Sequence, residues 1–395
     1  MIGFNKNFNN LKKNYLFSEI ARKSEEYKQN NPEKKEIIKL GIGDVTLPIC
    51  PAVINAMHSA VDDMSRAETF KGYGPYEGYE FLREAICKYY KNFGVNINSS
   101  EVYVSDGAKS DTANLPEIFE LNGKVLIQNP TYPVYMDSSI LRGNDISYIN
   151  ANEENEFLPL PDYSVKPSLI FICSPNNPTG AVYNKNQLKK WVDYALENKA
   201  IILFDAAYES FIEDETLPHS IFEIEGAKNC AIEICSFSKN AGFTGLRCGY
   251  VVIPNELKIN GVKAGDMWLR RLAIKFNGTS YITQKGAEAA LSPEGQNQIK
   301  KCISYYKENS KILSSTLNEL NIWHIGGKNS PYIWLKCPNN MSSWEFFDLL
   351  LEKANIVGTP GSGFGTNGEG FFRLSSFGGK ENVLKAAERI KSIKF

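Results

Sequence analysis

The feature that most constrains the fold is an alternation of short apolar runs with amphipathic segments between residues 101 and 253. Six runs are strand-like: VYVS (102–105), KVLIQ (124–128), LIFIC (169–173), AIILF (200–204), AIEIC (231–235) and GYVVI (249–253). One helical face of the segment between the third and fourth runs carries Leu188, Trp191, Val192, Ala195 and Leu196. Strand, helix and strand with short connections require a right-handed crossover and parallel strands. Near-continuous apolar strands are typical of a sheet covered on both faces. The sequence therefore predicts an α/β fold whose mostly parallel sheet is covered by helices.

The segments on either side of this alternation predict a second, smaller domain. The chain of 395 residues is long enough for two domains. The first stretch is polar and rich in Asn and Lys, and it reads as an arm that packs on another part of the protein. Beyond about Leu291, helices are predicted at 296–320, 343–354 and 381–393, with a strand at 332–336. We predict an arm and part of the small domain at 1–47, a large domain at 48–289 and a small α+β domain at 290–395.

Composition excludes several classes of protein. Lys and Arg number 44 against 45 Asp and Glu, so there is no net positive field to hold a nucleic acid. The eight cysteines are scattered without a CxxC pair and the three histidines lie far apart, which argues against disulfides and a metal centre. The start lacks a signal-peptide pattern, and no run of about 18 apolar residues occurs. We expect a cytoplasmic protein with no membrane, nucleic-acid or metal partner.

Polar segments follow five of the apolar runs directly. They are SDGAKSD, NPTYPVY, SPNNPTG, DAAYE and SFSKNAGFTGLR. In open α/β sheets, ligands bind at the carboxyl ends of the strands. Because five consecutive strand ends carry such sets, the sequence predicts one ligand site along this edge of the sheet.

Two of these segments indicate the chemistry of the site. Lys239, with Ser236 and Ser238 before it and Arg247 after it, can place an amine beside an anion site. An ordinary lysine pKa of about 10.4 makes a poor nucleophile, and attachment as a Schiff base to an aldehyde cofactor removes that difficulty. Asp205 follows an apolar strand, so its carboxylate is expected to be buried and to need a partner such as a protonated pyridine nitrogen.

The strength of that pairing can be bounded. A contact of about 3 Å at an effective dielectric of about 20 contributes about 5.5 kcal/mol before desolvation is subtracted. Even half of this energy would raise the pyridine pKa by about two units. A ring kept protonated acts as an electron sink, which carbanion chemistry on amino acids requires.

Several of these segments, with others along the chain, resemble those of a known protein family. SPNNPTG, DAAYE, SFSKNAGFTGLRCGY and FFRLSSFG are similar to segments of the fold-type I pyridoxal-phosphate aminotransferases. LGIGDVTLP, SDGAKSD, KFNGTSYITQ, PYIWLK and VGTPGSGFG resemble the LL-diaminopimelate aminotransferase branch in particular. The resemblance runs from about Tyr15 to the C-terminus. It implies pyridoxal 5'-phosphate as cofactor, and a homodimer with shared active sites. The implied reaction interconverts LL-2,6-diaminopimelate and 2-oxoglutarate with tetrahydrodipicolinate and glutamate, in lysine biosynthesis.

The resemblance also implies roles for individual residues. Lys239, Asp205 and Tyr208 would be catalytic: Lys239 as Schiff-base lysine and proton shuttle, Asp205 on the pyridine nitrogen. Asn177 and Tyr208 would bind the ring oxygen, and Arg373 would bind the substrate α-carboxylate as a bidentate fork. The phosphate would be held by Ala108, Lys109, Ser236, Ser238 and Arg247. The ring would be covered by Tyr132. Substrate contacts would come from Tyr15, Gly43, Tyr73, Lys109, Tyr132, Asn177 and Asn277, with Tyr15 and Tyr73 supplied by the neighbouring subunit.

Two departures from the family pattern keep alternatives open. Tyr76 and Glu77 stand where the family usually has Glu-Gln, and Asn240 replaces the usual Thr or Ser after the lysine. The first departure leaves the amino donor open, so the alternative is a pyridoxal-phosphate aminotransferase or lyase for another amino acid. An alternative of another class is a non-catalytic pyridoxal-phosphate-binding regulator, although the chain has neither length nor basic excess for a DNA-binding module. The GxGxxG match at 363–368 precedes a strand-like segment, so it does not predict a dinucleotide site.

Overall fold

The structure is a computed structural model that describes residues 2–11, 16–33, 36–41 and 43–395. Its β-strands are β1 (Ile38–Lys39), β2 (Val102–Ser105), β3 (Lys124–Asn129), β4 (Ile146–Asn150), β5 (Pro167–Cys173), β6 (Ile201–Asp205), β7 (Ala231–Ser236), β8 (Gly249–Val252), β9 (Lys258–Ile259), β10 (Val262–Lys263), β11 (His324–Gly326), β12 (Tyr332–Lys336), β13 (Ile356–Val357), β14 (Thr359–Pro360) and β15 (Phe371–Ser375). Its α-helices are α1 (Leu16–Asn30), α2 (Pro51–Met64), α3 (Glu80–Lys91), α4 (Ala108–Asn114), α5 (Pro133–Arg142), α6 (Lys185–Asn198), α7 (Phe237–Asn240), α8 (Ala264–Lys275), α9 (Tyr281–Leu291), α10 (Pro293–Glu319), α11 (Ser343–Ala354) and α12 (Lys380–Lys391).

The largest sheet has seven strands in the order β2-β8-β7-β6-β5-β3-β4. The strands β3 to β7 pair in parallel, and β8 runs antiparallel to β7 and β2. All six strand-like runs are strands of this sheet. The sequence analysis missed β4, a partly exposed edge strand that lacks the continuous apolar character of the central strands. The predicted α/β fold with a mostly parallel sheet is confirmed.

Both faces of this sheet are buried, as the apolar strands indicate. Ile170 and Ile202 belong to one hydrophobic cluster, and their neighbours along the strands, Leu169 and Leu203, belong to a cluster on the opposite face. The crossover helix α6 begins at a capping box formed by Asn184 and Gln187. Its buried face includes Tyr194, whereas the predicted face residue Leu196 is 39% exposed, because it lies at the margin of the helical stripe.

The C-terminal part forms a four-stranded antiparallel sheet in the order β11-β12-β15-β14, with α10, α11 and α12 beside it. It has its own hydrophobic cluster, which includes Phe347, Phe372 and Ile390. The N-terminal strand β1 pairs in parallel with β13, so the segment before the large sheet packs on this C-terminal part. The domain boundaries at residues 48 and 290 stay a prediction.

Two local features of the C-terminal part bear on the sequence analysis. Helix α10 begins earlier than predicted, at Pro293, because Pro suits a first helical position and the Ser292 side chain accepts a hydrogen bond from the Gly295 N–H. The GxGxxG segment at 363–368 forms two short 3-10 turns and leads into strand β15, so no helix follows it. Within the described ranges, no helix is long and apolar enough to span a membrane.

Candidate active site

A cavity of about 250 Å³ lies at the carboxyl ends of β5, β6 and β7. Its lining includes all ten residues that the resemblance implies for the cofactor. The lining residues are Asp44, Ala108, Lys109, Thr112, Tyr132, Tyr135, Cys173, Asn177, Asp205, Ala207, Tyr208, Ser236, Ser238, Lys239, Thr244 and Arg247. Polar segments from five strand ends therefore meet at one place, as the parallel sheet requires.

The carboxylate of Asp205, the last residue of β6, is one pole of this cavity. The Tyr135 hydroxyl donates to its Oδ2 at 2.6 Å, and the Ala207 N–H donates to its Oδ1 at 3.0 Å. Burial raises the pKa of Asp205, because a low-dielectric environment disfavours the charged form, while the two donors oppose that change. A cation placed beside this carboxylate would restore its ionised form.

The amine of Lys239 is the second pole, on the short helix α7 directly after β7. Its Nζ donates to the backbone carbonyl of Gly43. Burial lowers the pKa of Lys239 to about 8, with Arg373 and Arg247 adding to the effect and Asp44 opposing it. At neutral pH this lysine is therefore a free amine far more often than an exposed lysine.

Hydroxyl and guanidinium groups converge beside Lys239. The Ser236 side chain accepts a hydrogen bond from the Ser238 N–H at 3.1 Å and caps α7. Nη1 of Arg247 donates to the Ser238 Oγ at 3.3 Å and to the Thr244 carbonyl at 3.1 Å. Two hydroxyls and a cation on one cavity wall form a set of groups suited to an anion.

The start of helix α4 closes this anion-binding wall. Gly107, which precedes the helix, has a φ of 130°, and a Cβ there would collide with Nη2 of Arg247. Glycine therefore allows the guanidinium to lie against the first turn of α4. The first N–H groups of a helix have no intrahelical acceptor, which favours an anion at this end.

Arg373 on β15 is buried, with an exposure of 1%. Its Nη1 donates to Asn177 Oδ1 at 2.6 Å, and its Nη2 donates to the Gly41 carbonyl at 2.8 Å and to Thr359 Oγ1 at 3.4 Å. All three acceptors are neutral, and among the residues that the structure describes no carboxylate lies within ion-pair distance of the guanidinium. Burial lowers the pKa of Arg373, and its Nε has no hydrogen-bond partner. A buried cation without an anionic partner is suited to bind a carboxylate ligand.

Two tyrosines that complete the site were missed in the sequence analysis. Tyr135 holds Asp205, and Tyr332 places its hydroxyl 2.8 Å from that of Tyr208. Tyr135 lies one helical turn after Tyr132 in α5, so the i to i+3 spacing could have indicated it. Tyr332 comes from the separate C-terminal sheet, and no local pattern indicates its proximity. Tyr132 itself precedes α5 and contacts the ring of Tyr135 edge to face.

The predicted substrate residues do not all lie at this cavity. Gly43 contacts Lys239, but Tyr73 is 90% exposed and Asn277 lies in the loop between α8 and α9, and neither lines the cavity. A Cβ at Gly278 would lie 3.4 Å from the Pro75 carbonyl, so the two exposed loops are neighbours. Tyr15 falls outside the described residues.

With this geometry established, comparison with known proteins identifies the class. The profile of the aminotransferase class I and II family matches residues 35–390. The chain therefore belongs to this family and is an aminotransferase.

Individual relatives narrow the comparison. The chain is 51% identical over 406 residues to "LL-diaminopimelate aminotransferase" from Agathobacter rectalis, with 100% of both proteins covered. It is 50% identical to the protein of the same name from Lachnospira eligens, with the same coverage. Among solved structures, "L,L-Diaminopimelate aminotransferase from Chlamydomonas reinhardtii" has a TM-score of 0.92 and 42% identity, covering 99% of this chain and 98% of that one. The resemblance to the LL-diaminopimelate aminotransferases and the fold-type I class are confirmed.

Proposed function

We propose that this aminotransferase uses pyridoxal 5'-phosphate to interconvert LL-2,6-diaminopimelate and 2-oxoglutarate with tetrahydrodipicolinate and glutamate. The observation that carries the proposal is the position of Lys239 and Asp205 in the lining of one cavity. Full-length relatives at about half identity, named for this activity, support the substrate. The reaction would serve lysine biosynthesis in the cytoplasm, with amino acids and 2-oxo acids as the partners.

The donors of the cavity fit a phosphorylated pyridine aldehyde. Asp205 would pair with the ring nitrogen. Its pKa is raised by burial, as expected of a carboxylate whose cationic partner is a bound ligand. The ring oxygen would accept from Tyr208 and Asn177, whose amide is fixed by Arg373. The ring face would lie against Tyr132. The phosphate would be held by Ala108, Lys109, Ser236, Ser238 and Arg247.

When bound, the cofactor supplies an electron sink for the charge that develops on the substrate α-carbon. Lys239 would hold the cofactor covalently and, once displaced by the amino donor, would act as a free amine. Its pKa of about 8 suits this role, because an amine that titrates near the working pH both accepts and returns a proton. Such acid–base work contributes about 10² to 10⁴-fold to the rate. The hydrogen bond to the Gly43 carbonyl keeps the amine inside the cavity.

Arg373 would bind the substrate α-carboxylate. Its guanidinium is already oriented by Asn177, Gly41 and Thr359, so little side-chain freedom is lost when the ligand binds. A bidentate pair with a carboxylate would supply the anionic partner that the buried charge lacks. Asn177 would then contact both the cofactor and the group that binds the substrate.

The exposed loops support a homodimer with shared active sites. Tyr73 is an almost fully exposed aromatic residue beside the loop that carries Asn277. We propose that Tyr73, together with Tyr15, reaches the cavity of the neighbouring subunit and contacts the substrate there. A single chain would then hold the cofactor but only part of the substrate site.

One observation favours a second candidate donor. The Glu77 carboxylate lies 3.9 Å from Arg83 of its own chain, and Tyr76 beside it is 41% exposed. An acidic group at this position is therefore partly neutralised by an internal cation, whereas the distal end of diaminopimelate carries an ammonium group. The second candidate is an aminotransferase of the same mechanism acting on an amino acid without that distal ammonium.

A donor panel tests the proposal. Purified protein loaded with the cofactor is supplied with 2-oxoglutarate and with diaminopimelate, lysine, aspartate, an aromatic or an aliphatic amino acid, and glutamate formation is measured. Preference for LL-diaminopimelate is expected. A higher kcat/KM for a monoamino acid would transfer the proposal to the second candidate, and bound cofactor without turnover on any donor would favour a non-catalytic regulator.

A lysine variant tests the chemistry separately. Lys239→Ala should lose the visible absorption of lysine-bound cofactor together with turnover. Lys189→Ala is the matched control, because Lys189 lies on the outer surface of α6 in an ion pair with Asp193. Normal turnover by Lys239→Ala would overturn the assignment of this lysine.

A further inference from the structure

The side chain of Tyr332 contacts three groups of the site at once. Its hydroxyl lies 2.8 Å from the Tyr208 hydroxyl, and its ring centroid lies 4.3 Å from Cζ of Arg373. A Cβ at Gly43 would lie 2.9 Å from the Tyr332 hydroxyl oxygen, so this phenol also lies beside Gly43, the residue whose carbonyl accepts from Lys239. Tyr332 has no exposed surface, and it stands behind Tyr208 rather than in the cavity lining.

Hydrogen bonds and close packing hold the backbone of Tyr332 in place. The Tyr332 N–H donates to Ser330 Oγ at 3.1 Å, and its carbonyl accepts from the Gly327 N–H at 2.7 Å. Gly180, at the end of the segment that carries Asn177, has a φ of 70°, and a Cβ there would lie 2.5 Å from the Tyr332 carbonyl oxygen. Strand β12 therefore packs directly on the loop that follows β5, and the backbone of Tyr332 is fixed from both sides.

We propose that Tyr332 is a positioning residue that couples Arg373 to Tyr208, so that the group binding the substrate carboxylate and the group binding the cofactor ring oxygen act together. The proposal rests on the proposed function. The hydroxyl of Tyr332 orients Tyr208, and its ring supports the guanidinium of Arg373.

The direction of the hydrogen bond follows from the charges. Burial raises the pKa of both tyrosines, so both are neutral at physiological pH and only one hydroxyl donates to the other. Arg373 over the ring opposes the rise in the Tyr332 pKa, because a cation favours negative charge on the phenol. Either hydroxyl can donate in this pair, and the position of the guanidinium over its ring favours Tyr332 as the donor. Its donation to the Tyr208 oxygen leaves the Tyr208 proton free to point into the cavity.

In this arrangement, the pH at which the bound cofactor titrates depends on whether a substrate carboxylate is bound. A carboxylate that pairs with Arg373 neutralises the charge above the Tyr332 ring, and Tyr332 then becomes a weaker donor. Tyr208 in turn donates less strongly to the ring oxygen. Weaker donation to an anionic oxygen raises the affinity of the conjugated ring system for a proton, so the bound cofactor titrates at higher pH when the carboxylate is present.

The test is the variant Tyr332→Phe, which removes the hydroxyl and keeps the ring under Arg373. The visible absorbance of the cofactor bound at Lys239 is titrated against pH, with and without saturating maleate, a dicarboxylate that carries no amino or oxo group. In the unsubstituted protein, maleate should raise the midpoint. In Tyr332→Phe, the midpoint without maleate should rise by about half a pH unit, and the further rise with maleate should shrink. Maleate affinity should stay within about twofold, because the ring remains in place.

Three controls separate the outcomes. Tyr194→Phe removes another buried phenol hydroxyl. Tyr194 lies on helix α6, and its hydroxyl donates to the carbonyls of Asp162 and Val165. The cofactor bound to this variant should titrate as in the unsubstituted protein. Tyr208→Phe should shift the midpoint by more than Tyr332→Phe does. Tyr332→Leu removes the ring and should weaken maleate binding about tenfold.

A Tyr332→Phe protein with an unchanged midpoint and an unchanged response to maleate would overturn the coupling, whether or not Tyr332→Leu folds. A midpoint shift in Tyr208→Phe but not in Tyr332→Phe would also overturn the coupling, while it would support the proposed function. Absence of any lysine-bound cofactor in the unsubstituted protein would instead overturn the proposed function itself.

Discussion

The cavity at the strand ends and the exposed loops around Tyr73 and Asn277 differ in how complete they are within one chain. The cavity has charged groups already held by hydrogen bonds, with Asp205 fixed by Tyr135 and Ala207. The loops hold an aromatic residue that is 90% exposed and an asparagine outside the cavity. The side chains of the cavity are therefore held in position within a single chain. The exposed loops have residues of the kind that bind ligands, yet they lie outside the described cavity, as expected of a surface completed by another subunit.

Subunit complementation tests most directly whether Tyr73 serves the active site of the neighbouring subunit. Lys239→Ala alone should lose up to about 10⁴-fold in activity, and Tyr73→Ala should lose about tenfold or more while it still binds the cofactor. If Tyr73 serves the neighbouring subunit, a mixed dimer of the two variants contains one intact site. Random mixing should then restore about a quarter of the unsubstituted activity in a transamination assay. Activity no higher than the average of the separate variants would place Tyr73 in the site of its own chain.

The next largest effect is expected for Asp205→Asn. Loss of the ring-nitrogen partner removes about 2 to 3 kcal/mol, half of the Coulomb ceiling, which corresponds to about 10²-fold in kcat. Steady-state kinetics measure this loss at saturating cofactor. The matched control is Asp111→Asn, because burial raises the pKa of Asp111 to about 8 and the residue is already mostly neutral at pH 7. Equal losses in the two variants would mean that any buried carboxylate of the domain matters equally.

The pH dependence of cofactor attachment tests the lowered pKa of Lys239. The folded-state pKa of Lys239 is lowered to about 8, so the reactive neutral amine is lost as the pH falls below that value. The rate of cofactor attachment to the cofactor-free protein should fall about tenfold per pH unit below about 8 and level off above it. Stopped-flow absorbance from about pH 6 to pH 9.5 measures this rate. A rate that keeps rising through about pH 9.5 would show an ordinary lysine and a less buried site.

The smallest effect is expected for Ser236→Ala. The substitution removes the cap of α7 and one hydroxyl of the anion-binding wall, together about 1 kcal/mol, so the cofactor should bind about fivefold more weakly. Equilibrium dialysis of the cofactor measures this change. Ser342→Ala is the control, since Ser342 caps α11 in the same way at a distance from the cavity. It should lower the melting temperature without changing cofactor affinity, and a loss of affinity in both variants would assign the effect to stability.

Much of the fold could be predicted because the central strands are buried on both faces, which leaves a local signal in each. The edge strand β4 lacked that signal, since its partly exposed side chains need not be apolar. The site was predicted where motif residues follow strands, as with Asp205 and Lys239. Tyr135 and Tyr332 were missed because their partners are remote in sequence: Tyr135 bonds a residue 70 positions away and Tyr332 one 124 positions away.

The amino-acid sequence alone determined the class of the sheet, the strand ends that hold the chemistry, and the family, since periodicity and short motifs are local properties of the chain. Only the tertiary structure decided that the C-terminal sheet places Arg373 beside Asn177 and Tyr332 beside Tyr208. It also decided that Glu77 pairs with Arg83 and that burial lowers the pKa of Lys239 to about 8. The contacts of Arg373 and Tyr332 join residues far apart in the chain, and the lowered pKa of Lys239 depends on the exclusion of water, so both arise only when the chain is folded.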